Sequence, residues 1–264
     1  MAAEFIGRSQ ALSAAGLAAA SEALQVPAAR IWTVLAVETK GCGFLPDRRP
    51  PILFERHYFS KLTKGQFDAI HPDISNPQPG GYGAAGAHQY ARLARAIQLN
   101  RQAALQSASW GLPQIMGANF AQAGHGAVDA MVASMMDSED GQLAAFVEFL
   151  RTNGLHTKLR AQDWAGFARA YNGPDYAVNQ YDVKLSRTDQ KFTSIGALLP
   201  DLNVRAAQLY MTFAGVIPGP GPVDGMLGPQ TKAALRGYQL GRGLPVTGLA
   251  DEATLESLVA RIEG

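Results

Sequence analysis

Two glutamates frame the stretch of this chain whose residue types and spacing suit acid–base chemistry. In IWTVLAVETKGCGFLPDRRPPILFE, residues 31 to 55, Glu38 stands near the end of an apolar segment that breaks at Gly41 and Gly43, and Glu55 follows a proline-rich turn. A helix over this segment puts Ile31, Val34, Leu35 and Glu38 on one face, so the carboxylate shares an apolar stripe. Desolvation there, with the negative end of the helix dipole just before Gly41, is expected to raise the pKa of Glu38. A carboxylic acid kept protonated near neutral pH is what glycosidic bond cleavage needs as its general acid. Glu55 is the first candidate for the second group, its competing role being a structural ion pair with Arg56 or Arg49. Glu22 reads as a solvated helix face and Cys42 as a small structural residue, since no histidine lies near it in sequence.

Helices must carry these groups. The alanine-rich pattern from Ser9 to Leu24 predicts one helix, and Pro27 permits a second, running to Lys40. Pro46, Pro50 and Pro51 require a loop, after which ILFERHYF reads as a short strand or the approach to another helix. Residues 71 to 86, HPDISNPQPGGYGAAG, form a long Pro/Gly/Asn loop that either borders a cleft or is mobile. Periodicity returns from Gln89 to Ser107, and helices follow at Asp129 to Asp140, at Gly141 to Asn153, and after Trp164 up to ARAYNGP. The fold class is therefore all-α, or mainly α with a small β element.

A polar, weakly periodic segment, Ser186 to Pro200, suggests a linker at 186–201 between a domain spanning 1–185 and a smaller one spanning 202–264. The smaller one holds an internal repeat: PVDGMLGPQTKAAL at 222–235 and PVTGLADEATLESL at 245–258, offset by 23 residues. Each copy is a glycine turn followed by an amphipathic helix, and a further helix around Val204 to Phe213 completes a three-helix module.

Composition narrows the functions. With 23 Lys and Arg against 22 Asp and Glu in 264 residues, the chain carries no charge excess for nucleic acid or a membrane surface. A single cysteine excludes an intrachain disulfide and a cysteine-built metal site, and the five histidines have no metal-type spacing. No metal, cofactor or membrane insertion is expected, and a monomer is. The alanine-rich start is interrupted by polar residues and lacks a leucine-rich core, so no signal peptide is expected.

The motifs DGMLGPQTKAALRGYQ and its second copy resemble the peptidoglycan-binding domain that ends many wall hydrolases. AVETKGCGF, PPILFERHYF, SWGLPQIMG and RAYNGP, in that order over 36–174, resemble the phage-type N-acetylmuramidase family of endolysins, which has a lysozyme-like fold. The resemblance implies cleavage of the β-1,4 bond between N-acetylmuramic acid and N-acetylglucosamine, with Glu38 at the family's catalytic glutamate. Relatives often carry a serine pair where this chain has Thr39 and Lys40. Ser109, Trp110 and Gln114 look like the equivalent sugar-contacting segment of lysozyme-like transglycosylases, while for Trp110 taken alone core packing is the favoured role. Tyr171 and Asn172 resemble the superfamily's AYN element, with a helix cap as the competing role of Asn172. Asp224, Gly225, Thr231 and Tyr238 are the candidate wall-binding positions. The expectation is thus an endolysin held in the bacterial cytoplasm until lysis and then acting on the wall. A lytic transglycosylase and a non-catalytic wall-binding virion protein are the alternatives.

Overall fold

A computed structural model describes residues 2–38, 41–194, 196 and 198–263; for residues 2, 3, 38, 172, 174, 175 and 263 it describes the backbone alone. The described residues form thirteen α-helices and one three-stranded antiparallel sheet. They divide into two compact units, one built from residues 1–9, 43–45 and 49–153, the other from 10–42, 46–48 and 154–264.

The first unit is organised on the sheet. Strand β1 (Ile52–Phe54) pairs with β2 (Ala108–Trp110), which pairs with β3 (Ile115–Met116). Helix α3 (Arg56–Leu62) leaves β1 directly, so ILFERHYF is both a strand and a helix start. The predicted Gln89 to Ser107 helix is two helices, α4 (Ala87–Leu99) and α5 (Arg101–Gln106). Asn100 splits them, because its extended backbone lets Oδ1 accept from the Ala103 amide at 3.0 Å. Ser138 divides α6 (Val128–Asp137) from α7 (Glu139–Thr152) in the same way, its hydroxyl capping Gly141 N–H. The expected boundary, two to three residues later, overlooked this cap.

The second unit begins with α1 (Ala14–Leu24), capped by Ser13, and α2 (Ala28–Glu38), which starts after Pro27. Helix α2 is buried on every side from Ile31 to Leu35, and so is a central helix instead of one with a single apolar stripe. Next come α8 (Leu155–Arg160), α9 (Trp164–Asn172), capped by Asp163, and α10 (Tyr181–Thr193), which packs along α2. Helix α10 corrects the expected linker, whose first eight positions are helical. Leu185, Asp189 and Phe192 form its buried face, and Asp189 meets Arg30 Nε at 3.2 Å and Gln162 Nε2 at 3.1 Å. A buried ion pair made a core-facing helix look like a polar tether.

The three-helix module belongs to the same unit. It comprises α11 (Leu202–Phe213), α12 (Pro229–Arg242) and α13 (Glu252–Glu263) around Ala207, Met211, Ala234, Leu235, Tyr238 and Leu258. No helix among the described residues is long and apolar enough to cross a membrane.

Candidate active site

Glu38 is the last residue of α2. Its side chain, the expectation about its ionisation, and Thr39 and Lys40 lie outside the described residues. In the first unit, the loop that follows is gripped at Gly43: Glu139 Oε1 accepts from Gly43 N–H at 2.8 Å, and Gln142 Nε2 donates to Gly43 O at 2.8 Å. A Cβ on Gly43 would run into the Gln142 side chain, so the second glycine of GCG is set by close approach. Gln142 also accepts from Leu112 N–H and donates to Met135 O, and thereby joins the segment after β2 to the same clamp.

Glu55 occupies the joint between β1 and α3. Its amide donates to Ser107 O at 2.8 Å and its carbonyl receives the Tyr58 and Phe59 amides, while its carboxylate caps nothing. The carboxylate is 14% exposed, and Oε2 lies 3.1 Å from His57 Nδ1. Both atoms are buried and neither is in a hydrogen bond of good angle. Arg56, the expected partner, instead donates to Gln78 O and Pro79 O, and Arg49 lies over the Tyr90 ring at 4.0 Å. Tyr82, from the Pro/Gly-rich loop, is near enough to feel the charge of Glu55. Burial, then the charge of Glu55, then a hydrogen bond to it raise the Tyr82 phenol above its usual pKa.

That loop is tied down. Gln89 Nε2 donates to Tyr82 O and Ala84 O, both at 2.7 Å, while its Oε1 accepts from Phe54 N–H. Arg92 bonds to Phe54 O, Tyr82 O and Asp73 O. Buried polar side chains of α4 thus fasten the loop to β1, and the sequence reading missed them because a Gln and an Arg on a helix read as surface.

Ser109 and Gln114 come together as expected, but chiefly with each other. Ser109 Oγ donates to Gln114 Oε1 at 2.9 Å, and Gln114 Nε2 donates to Pro51 O and Gly111 O. The Gln114 donors are therefore spent on the β2–β3 turn and on the residue before β1. Of the two roles open to Trp110, core packing is the one observed: its ring is wholly buried, its Nε1 donates to Leu105 O, and Phe5 packs 5.6 Å away. It supports the sheet from inside and offers no face to a sugar. Tyr171 sits on α9, half-buried, stacked on Phe167 at 5.8 Å. The Asn172 side chain lies outside the described residues.

The module positions are likewise framework. Gln208, on α11, accepts from the Asp224 and Gly225 amides and donates to Asp224 Oδ1, Met226 O and Thr231 Oγ1. Gly225 has φ +75° and no room for a Cβ against Asp201, and Thr231 is buried. The buried Tyr238 hydroxyl bonds with Ser257 Oγ. Gln239, 31 residues after Gln208, repeats the device in the second copy. It accepts from Gly248 N–H and donates to Thr247 Oγ1, Leu249 O and Thr254 Oγ1. The repeat thus encodes two glycine turns, each wrapped on a glutamine from the preceding helix. This replaces a direct wall-contacting role for Gly225, Thr231 and Tyr238.

Among the described residues no group of three His, Cys, Asp or Glu side chains is placed to hold a metal. Residues 27–193, which include both glutamates, match the N-acetylmuramidase family model, and the chain belongs to that family. Residues 200–258 match a putative peptidoglycan binding domain. The crystal structure of Burkholderia AP3 phage endolysin is similar to this chain, with a TM-score of 0.66 and 44% identity; the match covers 70% of this chain and 71% of that one. No curated protein matches.

Proposed function

We infer that this protein is a peptidoglycan-degrading endolysin that hydrolyses the β-1,4 bond between N-acetylmuramic acid and N-acetylglucosamine and so lyses the host cell. What carries the reading is the joining, on one chain, of an N-acetylmuramidase match that includes Glu38 and Glu55 to a peptidoglycan-binding match. In this reading Glu38 gives its proton to the leaving glycosidic oxygen. Glu55 acts as the second carboxylate, on water if the carboxyl groups stand ~6.5–9.5 Å apart, or on the anomeric carbon at ~5–5.5 Å. Ser109, the free lone pair of Gln114, Tyr171 and Asn172 contribute to sugar positioning. The module holds the enzyme on the wall through surfaces other than its buried glutamine nodes. The enzyme acts as a monomer, waits inside the host and reaches the wall at lysis; similarity to a phage endolysin supports the last of these.

Mass spectrometry of digested peptidoglycan tests this. Borohydride-reducible muramic acid ends are expected. Anhydromuramic ends would replace the hydrolase with a transglycosylase, and reducible glucosamine ends would mean a glucosaminidase. Glu38→Gln is expected to lower the rate by about 10²–10⁴-fold with wall binding intact; unchanged lysis would remove Glu38 from the mechanism.

A further inference from the structure

Glu55 has an unusual setting for a carboxylate at a strand–helix joint. Nothing in the backbone uses it, since the helix it precedes receives no side-chain cap from it. Two neighbours from different segments act on it instead. His57 is two residues on, held edge-to-face against Tyr58 with ring centroids 5.0 Å apart, and presents Nδ1 to Oε2 at 3.1 Å. Tyr82 arrives from 27 residues away on a loop without regular structure.

The placement of Tyr82 is built, not incidental. Its carbonyl receives both Gln89 Nε2 and Arg92 Nη1, the same two side chains that hold the β1 backbone at Phe54. Arg56, adjacent to Glu55, grips the same loop at Gln78 and Pro79, and a Cβ at Gly81 would meet its guanidinium. Glu55 and Tyr82 are therefore referenced to one strand, the Tyr82 backbone being held relative to β1 by Gln89 and Arg92 and its loop by Arg56. A purely structural Glu–His pair would close its hydrogen bond; here Oε2 and Nδ1 are buried without one. With Oε2 buried against the imidazole, the exposed part of the carboxylate is what remains for a reacting group.

We propose that His57 and Tyr82 are positioning residues for Glu55: together they fix the direction of its carboxylate so that one oxygen stays available to the reaction. The proposal rests on the reading of Glu55 as the second catalytic carboxylate. Neither side chain touches substrate in this account. Their contribution passes through Glu55, so it should appear in turnover and not in binding.

The test uses the full-length chain on purified peptidoglycan, with kcat, KM and melting temperature measured for His57→Gln, Tyr82→Phe, Glu55→Gln and each of the first two combined with the third. His57→Gln and Tyr82→Phe should each lower kcat by about tenfold, with KM within about twofold and melting unchanged. In the Glu55→Gln background neither should lower kcat further, because the group they position is gone. Losses that persist undiminished in that background would overturn the proposal, as would wild-type kcat in both single variants beside an inactive Glu55→Gln. A rise in KM that tracks a fall in melting temperature would also overturn it, by marking a structural role. Full activity in Glu55→Gln itself would overturn the reading of Glu55 and this proposal with it, an outcome distinct from the other three.

Discussion

Buried polar groups are treated in opposite ways at the two glutamine turns and at Glu55. Gln208 and Gln239 are almost wholly buried, and in each the carbonyl oxygen and the amide nitrogen are engaged, five hydrogen bonds at the first and four at the second. At Glu55, by contrast, a buried carboxylate oxygen faces a buried imidazole nitrogen and neither closes a hydrogen bond. Satisfied networks of the first kind specify a backbone conformation, and leaving one partner unmade costs the full desolvation of the other. Arrangements of the second kind hold free energy in reserve for chemistry and are found where a fold gives up stability for function. The contrast separates the module, whose repeat explains shape, from the sheet region, where the role proposed for Glu55 would account for the unmade bond.

The largest expected effect is on activity at Glu55. Glu55→Gln keeps the shape and removes the charge. It should lower peptidoglycan hydrolysis by about 10²–10⁴-fold, while relief of a poorly compensated buried carboxylate leaves the melting temperature unchanged or raised. Turbidity clearing and thermal denaturation on one preparation check both halves. Retained clearing with a melting point several degrees lower would reverse the contrast and make Glu55 the structural group.

The mirror experiment is at the glutamines. Gln208→Leu fills the space but leaves the Asp224 and Gly225 amides and the Thr231 hydroxyl short of partners, at a cost of about 2–4 kcal/mol. Gln239→Leu deprives one backbone amide, Gly248 N–H, and should cost less, about 1–3 kcal/mol. Denaturant unfolding of the full chain ranks the two. Soluble-substrate turnover by the folded fraction should be unchanged in both. Equal or inverted costs would mean that the hydrogen bonds counted at each node do not set its stability.

How much of this could be read in advance depends on the range over which each signal acts. The helix carrying Glu38 was legible because periodicity, Pro27 and the glycine break are local, and the turn–helix repeat was legible because its 23-residue offset is visible by inspection. The caps at Asn100 and Ser138 were also local and were passed over in favour of longer periodic runs. Other features depend on partners far along the chain. Asp189 looks like linker until Arg30, 159 residues away, is seen beside it, and Gln89 looks like surface until it is found holding both Phe54 and Tyr82. Trp110 was ambiguous for a different reason. An indole suits a sugar face and a core equally well, and only the three-stranded sheet, with Leu105 O waiting for its N–H, decides between them.

The smallest expected effect lies at the edge of the second turn, where the two copies differ. Asp224 of the first copy corresponds to Thr247 of the second, and the second turn recruits a further carboxylate, Asp251, which starts α13. Asp251 Oδ1 accepts from the Thr254 amide at 3.0 Å and hydroxyl at 2.6 Å, and Oδ2 accepts from the Thr247 hydroxyl at 2.7 Å. Bonds from the Thr254 and Thr247 side chains, in that order, hold its pKa below the ordinary aspartate value against the opposing effect of burial, and the Thr254 amide adds to them. A carboxylate lowered on folding contributes stability that is fully present above its unfolded pKa, near ~3.9, and is lost as the pH falls through its folded one. The wild-type chain should therefore lose thermal stability between about pH 4 and the lower folded value partly through this cap. Asp251→Asn, which keeps an acceptor oxygen but no charge, should start slightly less stable at pH 7 and lose less over that window. Melting temperatures of the two chains, measured from pH 7 down to about pH 3, should converge as the window is crossed. Parallel curves would show that Asp251 caps the helix without being held ionised by it.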